Sequence, residues 1–235
     1  MSVGGGLAAL AERWHLDPHQ ERQLAAILAA LAEDAQAPTA VREEPAAIDV
    51  HLADSLSGLA LPSVRDARAI ADLGSGAGFP GAVLAIALPH ARVALVESGT
   101  RKCAYLERLC ERAEIANARA VCARAEEWRE EIGAHDLVVA RALAPLAVLC
   151  EYASPLLGPG GALVAWKGAV TAAEEAAGAR AAELLGMRPF GTVRADPYAG
   201  SVAHRLVEYR KIAATPAGFP RRAGVARRRP LGGTG

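Results

Sequence analysis

The stretch "AIADLGSGAGFPGAVLAIALP", residues 69–89, carries a strand, a glycine-rich turn and a helix in succession. Its apolar run up to Leu73 reads as a buried strand. Gly74, Gly76 and Gly78 read as a tight turn, and Gly81 to Leu88 as a helix stopped by Pro89. Glycine allows a sharp turn and a close approach of backbone to ligand. The helix N-terminus that follows favours negative charge. The stretch therefore predicts a ligand site at the carboxyl end of a strand.

Working downstream, the same alternation continues. "ARVALVE" is a second strand, ending on Glu97, where a carboxylate can accept hydrogen bonds from ribose hydroxyls. Thr100 to Ala113 repeats apolar residues at helical spacing. Short strands follow at Arg119–Cys122 and Asp136–Ala140, then a helix near Pro145–Leu157 and a strand in "GPGGALVAWKG". A helix from Thr171 to Leu185 leads to strands near Gly191–Arg194 and Arg205–Tyr209. Alternating strands and helices require a mostly parallel twisted sheet covered on both faces. The last two strands leave no room for a long crossover, so an antiparallel strand is expected at the sheet edge. Upstream, residues 7–34 have helical periodicity, with Asp17-Pro18 reading as an N-cap and first turn. A second helix is expected over Ala46–Leu59. The chain thus divides into an N-terminal helical extension (1–62), an α/β domain (63–212) and a flexible basic tail (213–235).

Two ligands suit such a turn, a dinucleotide and S-adenosylmethionine, and spacing separates them. The dinucleotide pattern G-x-G-x-x-G needs a glycine where this chain has Phe79. Asp72-Leu73-Gly74-Ser75-Gly76-Ala77-Gly78 reads D-x-G-x-G-x-G, the first motif of Rossmann-like class I methyltransferases. The region after the fourth strand, Val139-Ala140-Arg141-Ala142, lacks the N-P-P-Y or D-P-P-Y of amino-group methyltransferases. No cysteine follows a proline, as pyrimidine C5 methylation usually needs. An acceptor with a free lone pair, such as guanine N7, needs neither device and no general base.

Composition narrows the class further. Of 235 residues, 52% are hydrophobic and 22% charged, as in a soluble protein with a sizeable core. No secretory signal or membrane-spanning run is read, so a cytoplasmic protein is expected. Cys103, Cys110, Cys122 and Cys150 form no C-x-x-C pair, so neither a metal site nor a disulfide is expected. Net charge is zero but uneven. Arg210 onward holds seven basic residues and no acidic ones, against 19 basic and 26 acidic before it. A basic end without helical period predicts a tail that stays off the core and reaches for nucleic acid through Arg221, Arg222, Arg227, Arg228 and Arg229. A solvated end without a partner is the plainer alternative.

"HLADSL" (51–56), "DLGSGAGFPG" (72–81), "VESGTRKCAYL" (96–106), "RAEEW" (124–128), "ARALAPL" (140–146) and "AWKG" (165–168) occur in the order seen in one family. The chain resembles the RsmG-type methyltransferases, also called glucose-inhibited division protein B, from about His51 onward. The resemblance implies methylation of guanine N7 in bacterial 16S ribosomal RNA, on naked RNA or the small subunit, by a protein we read as a monomer. It implies cofactor contacts at Gly74, Phe79, Ala125, Glu126 and Arg141; the residue reading adds Ser75, Gly76, Gly78 and Glu97. The cofactor pocket is thus expected within residues 72–141, apart from the tail. Arg141 and Lys167 follow the fourth and fifth strands, where they are candidates to position substrate; a surface salt bridge and a solvated lysine are the plain alternatives. His51 and Asp54 can share a helix face, as a capping pair or as a wall of the site. Two other readings remain: a non-catalytic adenosylmethionine- or RNA-binding module, and a small-molecule methyltransferase.

Overall fold

The computed structural model describes residues 3–233. Its sheet has seven strands: β1 (Ala69–Leu73), β2 (Arg92–Glu97), β3 (Ala118–Cys122), β4 (His135–Arg141), β5 (Leu157–Lys167), β6 (Met187–Arg194) and β7 (Arg205–Lys211). They lie in the order β3-β2-β1-β4-β5-β7-β6. The first five are parallel, and β7 runs antiparallel to both β5 and β6. The connection 195–204 is too short for a crossover, so β7 must return antiparallel. The antiparallel strand is therefore not at the edge, as the sequence reading had it. β7 inserts beside β5 and leaves β6 outermost.

Strand residues alternate between two cores, as a period of two demands. Ile70, Leu95, Val139 and Val164 face one; Ala71, Val96, Val138 and Leu163 face the other. Over the first face lie the N-terminal helices α1 (Val3–Trp14) and α2 (Pro18–Glu33), the short helical run Ile48–Ala53, and α3 (Asp54–Leu56). A further turn, α4 (Pro62–Arg65), leads into β1, and α5 (Gly81–Ala87) and α6 (Thr100–Arg112) complete this face. Asp17 caps α2, accepting from His19 and Gln20 N–H while the Gln20 side-chain oxygen accepts from the Asp17 N–H. Such a box contributes about 1 kcal/mol. Gln20 and Gln23 then donate to the carbonyls of Ile86 and Glu114, fixing α2 to the sheet's helices.

The second face carries α7 (Leu146–Ala153), α8 (Ala172–Leu184) and the short α9 (Val225–Arg228). The presence of α9 there corrects the free-tail expectation. Ala226 is 1% exposed within this core, and Arg221 pairs with the fully buried Glu151 of α7. Burial of apolar surface and an internal counter-ion hold the segment down. The expected domain bounds begin and end on residues 1–2 and 234–235, which lie outside the described residues. Cys103 and Cys122 form a disulfide, contrary to expectation, because α6 packs over the end of β3 and brings their Cα atoms to 5.6 Å.

Strand order reverses at β1, whose neighbours are β2 and β4. Ligands of open α/β sheets bind beyond the carboxyl ends of strands at such a switch point. Leu73, Glu97 and Arg141 end those three strands.

Candidate active site

The glycine turn is tied to β2: Gly74 and Ser75 N–H both donate to Val96 carbonyl, at 2.8 and 3.1 Å. Gly74, Gly76 and Gly78 have φ of +69°, +55° and +96°. At Gly76 a Cβ would meet nothing nearer than the Gly74 carbonyl at 3.7 Å, so the space beside it is open. Gly78 differs, because a Cβ there would lie 2.7 Å from Leu109. Its role is close packing of the turn on α6.

Glu97 is 7% exposed. One carboxylate oxygen accepts from Ser98 and Gly99 N–H at 2.8 and 3.1 Å. The other faces Gly76 N–H at 3.3 Å and the Lys102 ammonium at 3.5 Å. Beside it opens a cavity of about 560 Å³. Gly74, Glu97, Ala125 and Glu126 line it, so the structure brings these four expected residues together. Ala142, Leu143, Tyr152 and Arg227 line it too, and sequence reasoning missed them as pocket residues. Ala142 has φ +53°, an uncommon conformation for a residue with a side chain, at the cavity wall. A glycine-rich turn, a strand-end carboxylate and the cleft beside them fit an adenine nucleoside carrying an amino-acid arm.

The remaining expected residues lie outside that lining. The Ser75 hydroxyl donates to Asp72 carbonyl and shapes the turn. Phe79 faces the N-terminal helices, where His51 stacks on its ring at 4.4 Å between centroids and 2° between planes. The Arg141 guanidinium lies 5.4 Å from the same ring. It donates to Asp54 Oδ2 and Val50 carbonyl, both at 2.8 Å, and approaches His51 Nδ1 at 3.3 Å. His204 Nδ1 meets the other Asp54 oxygen at 3.0 Å. Asp54 is thus the hub of a second constellation next to the first, and His204 is a member no motif announced.

These features make a cleft at the switch point with an ionic, aromatic cluster nearby. The GidB family model, described as rRNA small subunit methyltransferase G, matches residues 20–195. The chain belongs to this family. Among relatives, Ribosomal RNA small subunit methyltransferase G of Synechococcus sp. (strain JA-3-3Ab) is 40% identical over 77% of this chain and 73% of its own. The protein of that name from Lacticaseibacillus paracasei (strain ATCC 334) is 36% identical over 93% of each. The S-adenosylmethionine-dependent methyltransferase SibL shares the fold, with a TM-score of 0.55 at 16% identity, over 68% of this chain and 55% of SibL. The fold is a Rossmann-like methyltransferase fold, as the motif implied.

Within this family member, the basic candidates divide by what they touch. Lys167 lies 2.8 Å from Glu174 of α8 and 3.4 Å from the Ala144 carbonyl, so its charge is met inside the fold. Arg221 is bound to Glu151 through both its Nε, at 2.6 Å, and its Nη2. That fork makes it an anchor of the chain end rather than a group held out to RNA. Arg222, Arg227, Arg228 and Arg229 are all exposed, and Arg227 also donates to Leu143 carbonyl at 3.1 Å. Among the described residues, no cluster of three or more His, Cys, Asp or Glu could hold a metal, and no helix is long and apolar enough to cross a membrane.

Asp72, the acid that opens the motif, is wholly buried at the end of β1. One oxygen accepts from Gly81 N–H at 2.9 Å, and the other has no partner. Burial pushes its carboxyl up to about 6, against opposing hydrogen bonds. The folded state then binds this proton more tightly than the unfolded chain, so its stability falls as pH rises through about 4 to 6. Asp72→Asn keeps the oxygen that Gly81 needs and has no charge to bury. Urea unfolding at pH 4.5 and pH 7 is expected to show wild type losing more stability than the variant over that interval. Equal losses would contradict a buried charge at Asp72.

Proposed function

We propose that this chain transfers a methyl group from S-adenosylmethionine to N7 of a guanine in 16S ribosomal RNA, in the cytoplasm, on the small ribosomal subunit or its RNA. The observation that carries the reading is the Glu97 carboxylate, fixed at the end of β2 against the glycine turn and opening on a cleft of about 560 Å³. A carboxylate so placed accepts from a ribose diol, which replaces its long contacts with Gly76 and Lys102. Gly74, Ser75, Gly76 and Gly78 set the turn against the amino-acid arm. Ala125 and Glu126 sit where an adenine would lie. Phe79 and Arg141 form the wall between cofactor and acceptor.

When bound, the cofactor supplies a methyl group on a sulfonium, an electrophile that needs no activation. The chain's task is to align the guanine and exclude water. N7 has no proton to lose, so no side chain need act as base. Burial holds the His51 imidazole below its ordinary value, which suits a neutral stacking partner for Phe79. Asp54 neutralises Arg141, so the guanidinium could offer N–H groups to guanine O6 with less repulsion of a cationic cofactor. Lys167, held by Glu174, supports the same rim. Arg222, Arg228 and Arg229 are free to meet phosphates. In this division residues 63–212 carry the transfer and the wall residues Phe79 and Arg141, and His51 and Asp54 of the N-terminal extension (1–62) brace that wall.

Mass spectrometry of small-subunit RNA tests this. Cells lacking the protein are expected to lose a single N7-methylguanine, and expression of the intact chain to restore it. An unchanged set of methylated guanines, or loss of a methyl from another base atom, overturns the reading.

A further inference from the structure

We infer that the C-terminal segment 219–230 is part of the cofactor site, and that Arg227 holds the nucleoside end of the cofactor. This rests on the proposed function for the identity of the ligand. Three fastenings place the segment. Arg221 forks onto Glu151, which is fully buried in α7. Gly224, at φ +77°, turns its N–H onto Glu126 Oε1 at 2.9 Å. Ala226 enters the core shared by α7 and α8. Glu126 itself is 6% exposed and lines the cleft. The segment is therefore bonded to a wall of the pocket and completes it.

Arg227 is where that segment meets the cavity. Its Nη2 donates to Leu143 carbonyl at 3.1 Å, directly after the strained Ala142, and the side chain lines the cavity with Ala125 and Glu126. One of five guanidinium donors is used in that bond. A further donor meets the Tyr152 hydroxyl, and those left, with the planar face, are offered to a purine, whose ring nitrogens accept hydrogen bonds and whose face stacks on a guanidinium. Arg227 is exposed like Arg222, Arg228 and Arg229, but of these four it alone lines the cleft beside the end of β4. The chemistry this site takes is an adenine nucleoside.

Calorimetry with S-adenosylhomocysteine tests the assignment on the full chain. Arg227→Ala is expected to weaken binding about tenfold and Arg227→Lys by less, both with an unchanged melting temperature without ligand. Arg222→Ala, on the exposed flank, is expected to leave that affinity alone and to lower the salt slope of RNA binding by roughly one. Glu97→Ala reports on the pocket itself and is expected to lose binding. If Arg227→Ala binds like wild type while Glu97→Ala does not, the inference about Arg227 is overturned and the pocket stands. If Glu97→Ala also binds like wild type, both fall. Equal weakening by Arg222→Ala and Arg227→Ala would reduce the effect to general charge and overturn the specific contact.

Discussion

Gly76→Val is expected to abolish S-adenosylmethionine binding and leave the protein folded. The two halves of that statement have separate causes. The fold survives because a Cβ at Gly76 meets no atom nearer than 3.7 Å. The cost is backbone strain: φ is +55°, a left-handed conformation that costs an ordinary residue about 1–2 kcal/mol, and valine somewhat more. A chain of this size tolerates that loss. Binding is lost because the branched side chain occupies the open space beside the turn, where the cofactor must approach the backbone. The same strain also threatens the Gly76 N–H that faces Glu97. Calorimetry with S-adenosylhomocysteine and a thermal melt separate the two effects. Unchanged cofactor affinity in a folded variant would remove the glycine turn from the site. Gly78→Val is the informative contrast. There a Cβ would lie 2.7 Å from Leu109, so folding itself is expected to suffer.

That contrast marks the boundary of what the sequence could convey. The strand–turn–helix and its glycine spacing were legible because they are local: residues 72–81 contain their own explanation. The sheet class was legible for the same reason, since each strand and helix has its own period. Glu97 was legible because it ends a strand that the pattern locates. What could not be read is which side of the turn each residue faces. Gly74 and Gly78 look equivalent in the motif, yet one lines the cleft and the other packs on α6. Phe79 and Arg141 belong by motif to the cofactor, yet they pack directly on His51 and Asp54, which a different segment contributes. His204 joins Asp54 across 150 residues of chain. No spacing announces such a pair. The position of β7 was missed because strand order depends on packing, whereas its direction followed from a short connection.

The expectation of an unattached tail failed in an instructive way. Counting charges along the chain shows where cations are concentrated, not where their counter-ions lie. Glu151 and Glu126 sit 70 and 98 residues before their partners Arg221 and Gly224, and folding brings them together. The tail looked unattached because its own segment has no acid and no period. Its anchors are contributed entirely by the body.

Arg221→Ala is therefore expected to destabilise the protein by about 3 kcal/mol, the cost of leaving a buried carboxylate without its partner. Glu151 is 0% exposed and the Arg221 side chain 25%, so water cannot easily replace the lost fork. For a chain of this length the loss corresponds to a melting temperature lower by roughly 6–12 °C. A solvated tail predicts something different, because surface substitutions usually change stability by less than about 0.5 kcal/mol. The double variant Glu151→Leu/Arg221→Met removes the charge and its partner together. It is expected to recover most of the loss, since well-packed apolar pairs often match a buried ion pair. Thermal melts of the three proteins decide the matter. If Arg221→Ala melts with wild type, the fork does not hold the segment, and a chain end that packs only weakly could not form a wall of the cofactor pocket.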